Sequence, residues 1–266
     1  MTKIPRMQLQ FSHVQNFTVY MERVVECVRR LGEAHAGPLR VLDIPAGEGL
    51  VVDALRGFSH EVIGADINSA REEFVHANMD DVLPFEDADF DVVICLEGIE
   101  HMVDPNHLLR ELLRVLKPGG HLVISTPNVI NLYSRWYALF RGYPFQFAPL
   151  HHRHVKPGVL ADRGHVNPMS YLRLRYLLEH YGADVVELAA DRAKKKVLLP
   201  LLWPIAQVGR LLSMRDFHRP DEGPERLAEI RRDLWSAPIL LSRSLILVSR
   251  KRIAEGSGAD GGESAG

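Results

Sequence analysis

From Val41 onward the chain alternates short, nearly continuous apolar runs with stretches of helical periodicity, and few folds accept that order. VLDI (41–44), EVIGAD (61–66), FDVVIC (90–95) and HLVIST (121–126) read as strands. Helical stretches at 48–56 and 107–116 intervene, followed by Gly57 and by KPGG (117–120). A strand that is apolar on both faces must be covered on both faces, and parallel strands need a crossover between them. The expectation is an α/β domain whose mostly parallel sheet carries helices on both sides.

The rest of the chain fits around that unit. A helix is expected over Val14–Leu31, with Phe17, Met21, Val24, Val28 and Leu31 on one face and Gly32 after it. FVHAN (74–78) reads as a further strand reached by an unusually short path. Helices follow at 129–140 and 168–181, the second with Asn167 as its cap, Pro168 in its first turn and Gly182 at its end. ADVVEL (183–188) and SLILVSR (244–250) supply two more strands. Three parts result: an arm and helix (1–36), a main domain (37–253) carrying a basic and apolar insertion (191–240), and a Gly/Ser/Ala-rich tail (254–266) expected to be disordered.

Charge and cysteine content narrow the classes. The formal net charge is −2, from 32 basic and 34 acidic residues. That balance argues against a general electrostatic grip on nucleic acid. Cys27 and Cys95 are the only cysteines, which excludes a disulfide scaffold and suits a reducing, cytoplasmic setting. MTKIPRMQLQ at the start lacks an apolar run of signal length, and no uncharged apolar stretch reaches 18 residues.

The turn VLDIPAGEG (41–49) joins a strand to a helix through small residues. Gly47 and Gly49 allow a close backbone approach, and a helix start offers free N–H groups. Asp43 ends the strand, where it can hold the loop or accept from a cationic ligand. Asp66 ends the next strand, placed to accept both hydroxyls of a ribose. The plain alternative is a turn whose glycines serve packing alone. A dinucleotide site is the rival, but GxGxxG is absent.

VLDIPAGEG, VIGADIN (62–68), DDVLPFEDADFDVVICLEGIEHMVDP (80–105) and LLRVLKPGGHLVISTPN (112–128) together resemble the class I S-adenosylmethionine-dependent methyltransferases. The resemblance covers about 38–190 and the strand near 244–250. It implies a Rossmann-like seven-stranded sheet with the last strand antiparallel. It also implies S-adenosylmethionine as cofactor, with Asp43, Ala46, Gly47 and Gly49 around the methionine part and Asp66 and Ile67 at the ribose. Asn78, Met79 or Asp80 would lie by the adenine, and Cys95 at the end of the fourth strand completes the set. Asn78 stands where many relatives carry Asp. The first glycine of the usual turn is here Pro45, which fixes φ and removes an N–H.

CLEGIEHMVDP (95–105) follows the fourth strand. If it opens a helix, Glu97, Glu100 and His101 share one face, able to ligate a divalent metal ion. Two other readings stand beside this: a polar first helical turn, or His101 as a general base without metal. ExxEH at this place resembles both ubiquinone-pathway O-methyltransferases and small-RNA terminal 2′-O-methyltransferases. The latter implies a metal held by Glu97, Glu100, His101 and a downstream histidine, for which His165 is best placed; His151, His152 and His154 match less well. Glu100 and His101 are the catalytic candidates.

Tyr133, Trp136, Tyr137 and Phe140 recur on one helical face, as core or as a pocket wall, and 143–167 reads as a lid or a solvated loop. Around VLLPLLWPIA (197–206), Arg192 and Lys194–Lys196 precede and Arg210, Arg215 and Arg219 follow. Prolines and length rule out a span. A peripheral membrane contact through 194–214, a cover for the site or a dimer contact remain. The reading is an O-methyltransferase of a small-molecule, sugar or lipid-linked acceptor. The alternatives are a metal-dependent RNA terminal 2′-O-methyltransferase and a non-catalytic membrane-peripheral protein that kept the fold.

Overall fold

A computed structural model describes residues 16–68, 71–149, 164–192, 196–217 and 223–253. The apolar runs become strands of one sheet: β1 (Arg40–Asp43), β2 (Glu61–Asp66), β3 (Val75–His76), β4 (Phe90–Leu96), β5 (Leu116–Pro127), β6 (Ala183–Ala190) and β7 (Ser244–Lys251). Their order is β3-β2-β1-β4-β5-β7-β6. The β3-β2-β1-β4-β5 pairings are parallel, and β7 runs antiparallel to both neighbours. This is the mostly parallel sheet the alternation predicts, in the Rossmann-like seven-stranded form with an antiparallel last strand that the resemblance implies.

The central strands alternate between two cores, as a pleat requires. Leu42, Val93 and Cys95 face one side, packed with α3 (Pro105–Val115) and α5 (Tyr171–His180). Val41, Val92 and Ile94 face the other, packed with α1 (Val19–Glu33) and α2 (Leu50–Arg56). All six side chains are essentially fully buried. The five aliphatic ones each contribute about 1.5–3 kcal/mol relative to exposure. The other α-helices among the described residues are α4 (Leu132–Arg141), α6 (Leu199–Leu212), α7 (Pro224–Leu234) and α8 (Ala237–Leu241).

Several boundaries differ from the sequence expectation, each for a local reason. α1 begins at Val19, leaving Phe17 outside it and exposed. α3 begins at Pro105 because Asp104 Oδ1 accepts from the N–H groups of Asn106 and His107. KPGG belongs to β5, across a register irregularity opposite Phe90–Val92; a Cβ on Gly120 would lie 2.8 Å from the Asp91 carbonyl. α4 starts at Leu132, with Asn131 accepting from Ser134 N–H. α5 starts at Tyr171, capped by Ser170, whose Oγ accepts from Arg173 N–H. Asn167 is not that cap, because it is bonded to the loop after β4. Among the described residues, the segment 191–240 carries α6, α7 and most of α8, and helps build a small third core of Leu132, Leu202, Ala206 and Leu240. The arm (1–10), the tail (254–266), His151, His152, His154, Lys194, Lys195 and Arg219 lie outside the described residues.

Candidate active site

The glycine turn is held by backbone bonds from both neighbouring strands. Ile44 N–H donates to Ile94 O and Ala46 N–H to Ala65 O, each at 2.9 Å. Pro45, between them, therefore removes no bond of this ladder; its peptide with Ile44 is cis. Gly47 and Gly49 take φ of 53° and 79°. Gly98, after β4, packs on the proline: a Cβ there would meet Pro45 Cδ at 2.8 Å and Met79 Cε at 3.3 Å.

Asp66 is turned toward this turn. Its Oδ2 accepts from Gly47 N–H at 2.8 Å and its Oδ1 from Asn68 N–H at 2.9 Å. A carboxylate has about four acceptor sites, so each oxygen retains one for a ligand hydroxyl. Asp43 is 2% exposed, and its Oδ1 makes no hydrogen bond. Burial, together with Asp66, pushes its carboxyl up to about 8. A cationic group in the crevice would satisfy that oxygen, so the residues present fit a ligand combining a ribose with a positive charge.

The other predicted contacts divide. Ala46 is buried in the turn, and Ile67 is partly exposed beside Asp66. Asn78 ties its own loop: Nδ2 donates to Asp81 and Oδ1 accepts from Asp80 N–H, while Met79 reaches toward Gly98. Cys95 has no exposed surface and packs in the core; burial, then Glu100 and Asp43, push its thiol up. At Gly49 the missing side chain leaves room for protein as well as ligand, since a Cβ would lie 2.7 Å from both Phe74 Cζ and Arg71 Cζ.

After β4 the chain makes a 3-10 turn (Ile99–His101), not an α-helix, and Glu97 precedes it at φ 49°. The proposed shared face of Glu97, Glu100 and His101 is therefore absent. Val166 and Asn167 both donate their N–H groups to Glu100 O, and Asn167 Nδ2 reaches Met102 O. These bonds seat His165 against His101, with ring centroids 4.9 Å apart and nearly perpendicular. Glu100, His101 and His165 each offer a ligand atom within 4.8 Å of the others. Glu100 has no exposed surface; Thr126 Oγ1 donates to its Oε2, and Oε1 has no partner. Burial, and next the charge of Glu97, hold its carboxyl well above the usual range.

Glu97 faces elsewhere. Its Oε1 accepts from Ser125 Oγ at 3.1 Å. Burial pushes it up to about 7, against the pull of Ser125, Arg243 and Ser244. Beyond it lies a cleft of about 190 Å³ lined by Thr18, Tyr20, Asp191, Arg192 and Arg243 among others. Burial and Glu97 push the Tyr20 hydroxyl up to about 12. Sequence reasoning did not find Tyr20, Asp191 or Arg243, which lie in three distant segments and share no motif.

A family model described as a methyltransferase domain matches residues 13–188, about two thirds of the chain. The chain belongs to the class I S-adenosylmethionine-dependent methyltransferases. It is 42% identical over 117 residues to a demethylmenaquinone methyltransferase of Clavibacter sepedonicus, covering 38% of this chain and 47% of that one. It is 27% identical over 177 residues to a ubiquinone biosynthesis O-methyltransferase of Acinetobacter baylyi, covering 56% and 74%. The chain spans about half the length or less of the first curated relatives it matches. A solved S-adenosylmethionine-dependent methyltransferase from Archaeoglobus fulgidus shares the fold, with TM-score 0.50, 20% identity and coverage of 87% and 94%. The turn 43–49 and Asp66 meet at the carboxyl ends of β1 and β2, where Gly47 N–H donates to Asp66.

Proposed function

We propose that the chain transfers a methyl group from S-adenosylmethionine to an oxygen of a small-molecule or lipid-linked acceptor. The observation that carries this reading is the meeting, at one end of the sheet, of the Asp43/Asp66 turn with the Glu100/His101/His165 cluster. The cofactor supplies a methyl on a sulfonium, an electrophile that needs no activation by the protein. The chain's residues supply position and proton handling. Asp66 accepts from ribose hydroxyls, Asp43 opposes the positive charge, and Gly47 keeps the turn free of side chain. His101 takes the acceptor's proton, or helps hold a metal ion that lowers the pKa of the acceptor hydroxyl. The relatives named as ubiquinone biosynthesis O-methyltransferases support an oxygen acceptor.

One carboxylate and two imidazoles suit a divalent transition metal, and the partnerless Glu100 Oε1 is an atom such an ion would satisfy. Metal analysis of the purified chain tests this directly, and the ion must disappear in His165→Ala. The neighbouring cleft, with Arg243 and Tyr20, fits an acceptor bearing an acidic or hydrogen-bonding group. The deciding experiment is calorimetry with S-adenosylmethionine, followed by product mass spectrometry after incubation with a metabolite extract. Asp66→Ala removes the binding heat; unchanged binding by that variant overturns the ribose assignment.

A further inference from the structure

A surface helix ordinarily buries its apolar stripe and shows water a polar one. α6 does not. Its inner face, Leu202 and Ala206, packs on Leu132 and Trp136 of α4. Its outer face is apolar as well: Leu201, Ile205, Val208 and Leu212 are 56–75% exposed, at spacings of three and four residues. Trp203 is 46% exposed beside them, and Leu139 and Phe140 at the end of α4 are 79% and 68% exposed. Isolated apolar side chains on a surface are ordinary, but a cluster drawn from two packed helices marks an interaction site.

Charge says what covers it. The two segments that build this face, 128–149 and 192–215, contain no aspartate or glutamate. They carry eight basic residues: Arg135 and Arg141 in one, and Arg192, Lys194, Lys195, Lys196, Arg210 and Arg215 in the other. The whole chain is net −2, so these two segments are where the sequence gathers basic residues without acidic ones. A second copy of the chain would bring the same positive field and be repelled. An anionic bilayer would be attracted, and would also accept the apolar side chains. No helix among the described residues is long and apolar enough to cross a membrane, so the contact is one of lying on the surface.

We propose that the outer faces of α4 and α6 dock on an anionic lipid bilayer, with Trp203 at the interfacial layer. α4 follows the carboxyl end of β5, the end of the sheet that carries Glu97 and His101. Docking there brings the acceptor cleft to the lipid surface, which suits a hydrophobic, membrane-dissolved acceptor; only this last step rests on the methyl-transfer reading.

The test is cosedimentation of the full chain with phosphatidylglycerol vesicles and, in parallel, phosphatidylcholine vesicles. The wild type pellets with the anionic vesicles, less so with the neutral ones, and less as salt rises. The Leu201→Asp/Ile205→Asp variant lowers the bound fraction roughly tenfold. Both substituted positions are exposed, so circular dichroism and S-adenosylmethionine affinity without vesicles stay unchanged. Loss of Trp203 fluorescence response in Trp203→Phe identifies the contact face. A wild type that stays in the supernatant, or a double variant that still pellets, overturns the proposal. So does a lipid-free dimer that the double variant dissociates. Cofactor binding is read separately, so a failed methyl-transfer assignment leaves the docking result interpretable.

Discussion

Asp43→Asn separates what the buried acid costs the fold from what it does for the ligand. In the folded chain the Asp43 carboxyl is pushed up to about 8, from an ordinary 3.8, chiefly by burial and then by Asp66. The groups facing it are Asp66 on β2 and Cys95 on β4, and neither brings a positive charge. Between those two pH values the folded chain holds a proton that the unfolded chain has released. Stability contributed by the group is thus complete below about pH 4 and is lost as pH rises through about 8. Four pH units at about 1.4 kcal/mol each give an upper bound of about 6 kcal/mol. Relaxation and water entry reduce the realised loss to roughly 2–4 kcal/mol. Asparagine keeps the shape and cannot ionise. Urea unfolding at pH 5, 7 and 9 should therefore show Asp43→Asn gaining on the wild type as pH rises, while Glu97 and Glu100 titrate in both and cancel. The same variant should bind S-adenosylmethionine roughly 10- to 100-fold more weakly, the value of one charge-assisted contact. A variant that loses stability in parallel with the wild type refutes the burial argument. One that binds the cofactor as tightly as the wild type refutes the assignment of the charge.

Three further substitutions test other parts of the structure. Gly49→Ala places a Cβ at φ 79° and 2.7 Å from Phe74; it should cost about 1–3 kcal/mol in thermal unfolding, and Phe74→Leu in the same chain should restore part of it. Tyr171→Phe removes a hydroxyl that donates to Asp233 at 2.7 Å and accepts from the buried Arg175 at 2.7 Å, for a loss of about 1–3 kcal/mol by urea titration. Asn128→Ala removes an amide that donates to the Pro238, Ile239 and Ser242 carbonyls; Pro238 O keeps Ser242 N–H and Ser242 O keeps Asn131 Nδ2, so a loss of about 1–3 kcal/mol is expected, with hydrogen exchange rising first around α8.

The half of the site that binds a nucleoside was legible because it is local. Asp43, Gly47 and Gly49 lie within seven residues, and Asp66 follows one crossover later, so strand pairing alone brings them together. Register does the rest: Asp43 pairs with Gly64 and Ile94, which puts the end of β1 between the ends of β2 and β4. Periodicity could not locate helix ends set by side-chain bonds. Nothing in the pattern says that Ser170, not Asn167, caps α5, since both are good caps. The choice is made by Glu100 O and Met102 O, which hold Asn167 from a loop 65 residues away.

The catalytic half depended on a backbone detail. Read as a helix, ExxEH puts both glutamates and the histidine on one face. Glu97 instead takes a positive φ, and the chain makes only a 3-10 turn before α3 begins at Pro105, capped by Asp104. That single turn divides the acids between two tasks. Glu100 is left inside, its open oxygen beside His101 and His165. Glu97 is directed to Ser125 and the charged cleft of Arg243 and Asp191. A straight helix would have given three ligands from one segment. The observed turn needs His165 to complete the cluster, so the bonds from Val166 and Asn167 to Glu100 O position a site residue as well as close a loop.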